Sequence, residues 1–340
     1  MGVKKEVILL KIYIVTGANG FLGNNIIRKL EGEDCEIRAL VLPGDKMHSL
    51  EGLRCTLYEG DVTKNETLSD IFTVPGEADV TVIHCAAIVT VKSKFNPKVQ
   101  EVNVNGTLNV AERALAIGAR LVYVSSVHAI PERGQKIIAE TKEFDPALVE
   151  GQYAKTKATA ANALLKMVND RGLDCVIVHP SGMLGPYDFG HSHLTQLVLD
   201  FCNGKLTACV KGGYDFADVR DVADGILSAA ERGRTGECYI LSNRYVEIRE
   251  LLDTISEVRG TKKIKVVLPM WIAKATAPLS EVYYAIRKQP PLYTRYSLYT
   301  LCTNAHFTNE KAKKELGFCN RPLSETVADT VRWLEEQGRI

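Results

Sequence analysis

Tyr153 and Lys157 stand four residues apart, and together they make the pair in this sequence best suited to moving a proton. On a helix that spacing stacks them on one face. A phenol ordinarily ionises near about 10, too high for acid–base work at neutral pH, and a neighbouring ammonium favours the phenolate and lowers that value. Such a pair can exchange a proton with a carbonyl or alcohol oxygen while a hydride moves. Ser125-Ser126 follows the apolar run Arg120–Val124, and a hydroxyl there can steady an oxygen as charge develops on it. Taken singly these signals are bland. A YxxxK is more often an exposed helix face, and a serine after a strand is more often a turn.

The elements that must position them begin with a glycine loop. Thr16-Gly17-Ala18-Asn19-Gly20-Phe21-Leu22-Gly23 joins an apolar strand to a helix. Gly17 permits the tight turn, Gly20 lets a pyrophosphate approach the backbone, and Gly23 allows close helix–strand packing. The helix start offers free N–H groups and partial positive charge to phosphates. The bland alternative is a tight strand–helix turn. A second strand that grips the 2′-OH of NAD should end in Asp or Glu, and neither an acid nor an arginine stands at that spot here. Here that strand ends Leu40-Val41-Leu42-Pro43, with Asp45 and Lys46 just beyond, so the choice between NAD and NADP stays open. Asp61, in Gly60-Asp61-Val62 past the third strand, is placed to accept from an adenine amino group, with Val62 beside it.

Short Val/Ile/Leu-rich runs alternate with helical segments through the first half. Strands are predicted at Ile12–Val15, Ile37–Leu42, Cys55–Tyr58, Asp79–His84, Arg120–Val124 and Cys175–Val178. Helices are predicted at Phe21–Leu30, Val99–Ile117 and Tyr153–Asn169. That alternation predicts an α/β Rossmann fold, a doubly wound parallel sheet, with Ser126 at its carboxyl edge. Beyond Pro180 the pattern loosens. Ser181–His193 reads as a long loop, followed by helices near Leu194–Asn203, Val219–Glu231, Ile248–Val258, Trp271–Ile286, Asn309–Leu316 and Glu325–Gln337, with a strand at Glu237–Leu241. The expected organisation is a dinucleotide-binding domain over 1–180, with 210–245 returning to it. A smaller, mostly helical C-terminal substrate-binding cap comes from 181–209 and 246–340.

Taken together these motifs resemble the extended short-chain dehydrogenase/reductase family, within the NAD-dependent epimerase/dehydratase superfamily. The resemblance runs over nearly the whole chain. It covers Thr16–Gly23, Gly60-Asp61, His84-Cys85-Ala86-Ala87, Asn103-Val104-Asn105-Gly106-Thr107, Val122–Ser126, Tyr153–Lys157, His179-Pro180-Ser181 and Asp218–Ala223, and continues into Asn309–Gly317 and Pro322-Leu323. It implies Tyr153 as the acid/base, Lys157 as its electrostatic partner and a contact to the nicotinamide ribose, and Ser126 as the hydroxyl that orients substrate, with Ser125 as a substitute. It places Cys85, Ala86 and Ala87 along the nicotinamide and Pro180, Ser181, Gly182 and Met183 as a wall beside the ring. Tyr214–Ala223 and Tyr239–Asn243 look more like the dihydroflavonol-reductase and 3β-hydroxysteroid-dehydrogenase branch than like the sugar epimerases. The expected activity is therefore NAD(P)-dependent interconversion of a secondary alcohol and a ketone or aldehyde. An epimerase or dehydratase that retains its NAD is the alternative, and a non-catalytic NAD(P)-sensing regulator the more distant one.

Other candidates weigh less. His128, Tyr187 and His191 are expected along the substrate cleft. His191-Ser192-His193 lacks a supporting third ligand, so no metal is expected. Tyr283, Tyr284, Tyr293, Tyr296 and Tyr299 read first as core packing and second as a lid over an apolar ligand. Lys262-Lys263-Ile264-Lys265 reads as a solvated strand edge. A net charge of +1 gives no general attraction to nucleic acid or anionic membrane. Nine dispersed cysteines without a CxxC pair read as free thiols in a reducing, cytoplasmic setting. Val7–Val15 follows Lys4-Lys5 like a signal peptide, yet Lys11 interrupts it and a glycine motif succeeds it, so a first strand is the better reading. No run of about 18 apolar residues predicts a membrane span. The expected partners are a small-molecule substrate and a second copy of the chain. The resemblance suggests that homodimer, and so does an alanine-rich outer face on the Tyr153 helix (Ala154, Ala158, Ala161).

Overall fold

The computed structural model describes residues 9–90, 95–190, 192–206, 208–275 and 295–340, the side chains of 295–297 excepted. In β1 (Leu10–Thr16), Ile12 and Ile14 join the core on one face while Tyr13 and Val15 join it on the other. Covering on both faces is why Ile12–Val15 is apolar throughout and does not alternate. There follow α1 (Phe21–Leu30), β2 (Glu36–Val41), β3 (Thr56–Glu59), β4 (Ala78–His84), α2 (Pro97–Gln100), α3 (Thr107–Ala116), β5 (Arg120–Val124), α4 (Gln152–Arg171) and β6 (Cys175–Pro180). The later part holds β7 (Gly182–Leu184), α5 (His193–Cys202), β8 (Ala208–Val210), β9 (Gly213–Asp218), α6 (Val219–Arg232), β10 (Cys238–Leu241), β11 (Tyr245–Glu247), α7 (Ile248–Arg259) and β12 (Val266–Leu268). Helices Glu310–Leu316 and Leu323–Glu336 close the chain.

Seven strands form one parallel sheet in the order β3-β2-β1-β4-β5-β6-β10. Helices α1 and α6 cover one face, and α3 and α4 cover the other. The order reverses between β1 and β4, so the connections there leave in opposite directions and open a crevice at the carboxyl ends. The doubly wound reading of the sequence is correct.

Three local expectations change. The helix expected over Val99–Ile117 is divided, because a π-helical turn, Glu101–Gly106, joins α2 to α3. The loop expected over Ser181–His193 contains β7, which pairs with β9 in a three-stranded sheet, β11-β9-β7; β8 and β12 form another small sheet. These strands are mostly three residues long, too short for a period-2 pattern to show. The third correction concerns α4. Ala154, Ala158 and Ala161 are 1%, 0% and 0% exposed, so they form its inner face. Small side chains let α4 lie close to the sheet and to α3, and the stripe is used up within this chain.

Ion pairs hold the last helix to the sheet. Arg220, at the start of α6, bridges Asp218 at 2.8 Å and Asp329 at 2.6 Å, and Arg321 reaches Asp221 at 2.7 Å. Among the described residues no helix is long and apolar enough to cross a membrane.

One contact decides how β1 and α1 can pack. A Cβ on Gly23 would stand 2.2 Å from the Gly17 carbonyl oxygen, a backbone atom that cannot swing aside. Gly23→Ala should therefore cost roughly 1–3 kcal/mol, as overpacking does, and lower the urea midpoint. An unchanged midpoint would refute the close approach.

Candidate active site

The glycine loop is built backbone against backbone. Gly17 has a φ of +64°, and a Cβ there would meet the Ala86 amide nitrogen at 2.8 Å. This fastens the loop to the chain leaving β4, where Cys85 N–H donates to the Thr16 carbonyl at 3.2 Å and Ala86 N–H to Thr16 Oγ1 at 3.2 Å. At Gly20 the added Cβ would find only the Gly17 oxygen, at 3.1 Å, so its face is open. Helix α1 starts there with no side-chain cap and no acid in its first turn. Its first N–H groups and positive end are therefore free for an anion, and the cradle fits a dinucleotide pyrophosphate. Phe21 and Leu22 follow in the first turn. Asn19 turns aside, donating from Nδ2 to Asp45 Oδ2 at 3.2 Å and to the Lys46 carbonyl at 3.4 Å. Asp61 accepts from the Thr63 amide at 2.9 Å and the Thr63 hydroxyl at 2.8 Å, while Val62 packs against Gly106.

Buried polar chains tie this rim to the neighbouring helices. Thr107 Oγ1 donates to the Asn103 carbonyl at 2.8 Å and so accepts from His84 Nε2 at 3.0 Å; Thr16 Oγ1 then donates to His84 Nδ1 at 2.7 Å. Burial holds His84 neutral, its pKa pulled down to about 3. Asn103, within the π-helical turn, accepts from the Ile88 amide at 2.8 Å and donates to the Ile88 carbonyl at 3.0 Å and to Thr156 Oγ1 at 3.1 Å. Thr156 in turn donates to the Tyr153 carbonyl at 2.8 Å. A π turn commonly marks a functional site, and here it aims one amide at two elements of the crevice.

Tyr153 and Lys157 are both drawn toward the carboxyl edge, but the lysine does not act on the phenol as expected. Burial pushes Tyr153 up to about 12, countered by a hydrogen bond with the Ser126 hydroxyl. Lys157, 2% exposed, donates from Nζ to the Val124 carbonyl at 2.6 Å and lies 4.8 Å from the centre of the Tyr123 ring. Its own burial pulls it down to about 7. Desolvation disfavours the charged form of both groups. Ser126 Oγ also accepts from the His128 amide at 3.3 Å, and the Ser126 carbonyl accepts from His179 Nδ1 at 3.0 Å. His179, stacked on Phe144 with ring centres 5.2 Å apart, thereby sets the serine's position; sequence reasoning gave it no role.

His128 meets the edge of Tyr153 with ring centres 6.4 Å apart and stacks on Tyr214 at 5.4 Å, with Tyr214 Oη 3.1 Å from its Nε2. Burial lowers His128 to about 4, so it is neutral. Both rings line a cavity of about 260 Å³ whose apolar wall includes Ile130, Val149 and Phe307. Tyr214 was missed as a site residue; the signal was its alternation with Phe216 along β9, which puts both rings near one another, 6.2 Å apart. Tyr299 also lines this cavity.

Pro180 ends β6 beside Leu241, and Ser181 N–H donates to the Leu241 carbonyl at 3.2 Å. Gly182 and Met183 belong to β7. Tyr187 lies elsewhere: its ring sits under the Arg28 guanidinium at 4.0 Å and edge-on to Trp333 at 6.1 Å, in a separate cleft beside α1. The Asn24 amide, donating to the Tyr187 carbonyl at 3.1 Å, holds it there. Tyr187, expected along the substrate cleft, thus lines a different cleft from the one that His128 and Tyr214 line. His191, Tyr283, Tyr284, Tyr293 and the side chain of Tyr296 lie outside the described residues.

A family model described as the NAD dependent epimerase/dehydratase family matches residues 13–242. The chain belongs to this family. Its members bind NAD, and this chain is an NAD(P)-dependent oxidoreductase. Among its relatives, "Sterol demethylase protein B" of Methylococcus capsulatus is 28% identical, over 96% of this chain and 99% of that one. The "4-hydroxy-2-methyl-3-oxo-4-farnesyl-3,4-dihydroquinoline-1-oxide ketoreductase" of Stigmatella aurantiaca is 30% identical, over 96% and 97%. The crystal structure of gox2253 superposes with a TM-score of 0.82 at 31% identity, covering 97% of this chain and 99% of its own.

Two measurements test this geometry. Gly20→Val places a branched side chain on the open face of the cradle, so the folded variant should lose dinucleotide binding; retained affinity would refute the placement. The second follows from Lys157, whose folded pKa of about 7 lies below its unfolded value near about 10.4. Between those values the unfolded chain binds the extra proton, so stability rises with pH. The contribution is complete above the unfolded value and is lost as pH falls through about 7. The stability difference between wild type and Lys157→Met should change by at most about 1.4 kcal/mol per pH unit between about pH 7 and 9. A difference independent of pH would refute the buried, deprotonation-prone amine.

Proposed function

We propose that the protein interconverts a secondary alcohol and a ketone or aldehyde carried on an apolar body. Tyr153 is the proton donor and acceptor, Ser126 the hydroxyl that orients the reacting oxygen, and Lys157 the charge behind them. The observation that carries this is the buried Tyr153 phenol, acted on by the Ser126 hydroxyl and edge-on to His128, which lines the neighbouring cavity at the carboxyl edge that also holds the glycine cradle. The bound nicotinamide supplies the hydride donor or acceptor. The chain's own residues do the rest. Tyr153, protonated at neutral pH, gives its proton to a carbonyl oxygen; Ser126 holds that oxygen; Lys157 attracts the phenolate left behind. In the reverse direction Tyr153 takes the proton back.

Residues 1–180 and 210–245 serve the dinucleotide in this reading, and 181–209 with 246–340 serve the substrate, Phe307 and Tyr299 closing the cavity from the latter side. The names of the sterol demethylase and ketoreductase relatives support an alcohol or ketone on a hydrophobic skeleton. The cavity lining argues against a nucleotide-sugar. Its charged residues are Glu132, Glu150 and Arg133, and Arg133 is paired with Glu143 at 3.0 Å, a poor setting for a diphosphate. A homodimer and a cytoplasmic location complete the reading; the first rests on the family resemblance, the second on nine unpaired cysteines.

A panel of cyclic and aryl ketones and alcohols, assayed with both dinucleotides, tests it. On the best substrate Tyr153→Phe should keep cofactor binding and lose about a hundredfold to ten-thousandfold in rate. Near-normal turnover by the variant would sink the acid/base assignment.

A further inference from the structure

The chain passes twice from the seven-stranded sheet directly into the small sheet β11-β9-β7, and one buried carboxyl stands at both crossings. The first crossing is Ser181, between Pro180 at the end of β6 and Gly182 at the start of β7. The second runs through Ser242, Asn243 and Arg244, between β10 and β11. They lie side by side, Ser181 N–H donating to the Leu241 carbonyl at 3.2 Å. Asp215, in β9 and 0% exposed, accepts at Oδ1 from the Asn243 amide at 2.9 Å, while the Ser181 hydroxyl acts on its carboxyl from the other crossing. The backbone around it completes the join. Phe216 pairs with Gly182, and its N–H donates to the Arg244 carbonyl at 3.3 Å. A Cβ on Gly182 would stand 3.0 Å from the Asp215 carbonyl oxygen, so the two strands approach closely at this point.

A carboxyl is a costly fastener in this setting. Burial raises it to about 6, against the Ser181 hydroxyl, the Asn243 amide, His306 and Arg244, which all favour its charge. Asp215 Oδ2, Ser181 Oγ and Ser242 Oγ are buried without a hydrogen-bond partner among the described residues. Burying a charge costs more than burying an apolar side chain of similar volume, so stability alone does not account for an acid here. Position does. Ser181, Gly182 and Met183 are the residues expected to wall the nicotinamide ring, and the carboxyl stands where that wall leaves the large sheet. We propose that Asp215 is a positioning residue for the nicotinamide end of the cofactor: by holding both crossings it sets the small sheet against the large one and fixes the wall of Ser181, Gly182 and Met183 beside the ring. The inference rests on the dinucleotide reading of the glycine loop and extends it to the opposite end of the cofactor. The hydrogen bond that Asp215 accepts comes from Asn243 and not from the glycine cradle, so its effect belongs to the ring end alone.

The test needs no substrate. NADH and ADP-ribose, which lacks the nicotinamide, are titrated by calorimetry into wild type, Asp215→Ala and Asp215→Asn at neutral pH, with nicotinamide fluorescence followed for NADH. Asp215→Ala should bind ADP-ribose within about twofold of wild type but NADH about tenfold more weakly, the loss expected for a hydrogen bond to a charged group. Its bound NADH should also show a smaller gain in fluorescence. Asp215→Asn keeps the shape and an oxygen for the Asn243 amide but not the charge, so it should fold like wild type and weaken NADH alone, by about threefold. Equal weakening of both ligands would make Asp215 a general structural residue and overturns the inference. An NADH to ADP-ribose ratio unchanged in both variants overturns it too, while leaving the glycine-loop reading in place. Should Asp215→Ala fail to fold, the ratio in Asp215→Asn decides alone. If wild type binds neither ligand, the glycine-loop reading fails and takes this inference with it.

Discussion

A lysine amine buried beneath the ends of β4 and β5 constrains the whole crevice. Lys157 reaches from α4 to the Val124 carbonyl at 2.6 Å, across the face of Tyr123. A charge in that setting is costly unless polar groups are aimed at it, so strand ends, helix and loop must be registered on one another. Its field in turn disfavours the charged forms of His84 and His179, which burial already keeps neutral. Neutral imidazoles can then act as fixed donors: His179 to the Ser126 carbonyl at 3.0 Å, His84 to Thr107 at 3.0 Å. The residues that could carry charge around the site are thus converted into parts that hold shape.

The glycine cradle solves a different problem with backbone alone. An anion-binding helix end works only if nothing else satisfies its N–H groups, and α1 has neither a side-chain cap nor an early acid. Instability from that open end is offset where the loop touches the chain after β4, through the Gly17–Ala86 approach and the Thr16 bonds to Cys85 and Ala86. Binding face and structural support lie on opposite sides of the same four residues. That is why a Cβ at Gly20 would meet one backbone atom, at 3.1 Å, while one at Gly17 or Gly23 would run into several, the nearest at 2.8 Å and 2.2 Å.

Legibility in the sequence followed length and pattern. The parallel sheet and its long helices were readable because buried strands are continuous runs and α1, α4 and α6 are ten or more residues long. Tyr153, Lys157, Ser126 and the glycine loop were legible as residue types at a spacing, and the structure brings them to one crevice edge. What escaped was whatever depends on which way a face points. Ala154, Ala158 and Ala161 mark a close helix contact correctly, but a stripe does not say whether its partner lies within the chain. Tyr187 sits in a glycine- and proline-rich segment like a site residue, yet Asn24 pulls its backbone toward α1. His179 and Tyr214 were visible in quoted motifs, but their contributions are contacts, and contacts are not written in spacing.

The phenol raises a question of direction that only the folded environment poses. In sequence, the lysine four residues on argues for a lowered pKa and a readily formed phenolate. In the structure, desolvation works against the phenolate, and Tyr153 stands at about 12 while Lys157 stands at about 7. In the proposed chemistry that arrangement is already set for giving a proton: the phenol is protonated at neutral pH, Ser126 is bonded to it, and no prior ionisation is needed. Taking a proton from an alcohol demands the phenolate, and the field that favours it must come from Lys157 in its charged form. An amine poised near neutrality makes that field conditional on what binds beside it. In the proposed chemistry carbonyl reduction thus starts from the protonated phenol, and alcohol oxidation starts from its phenolate.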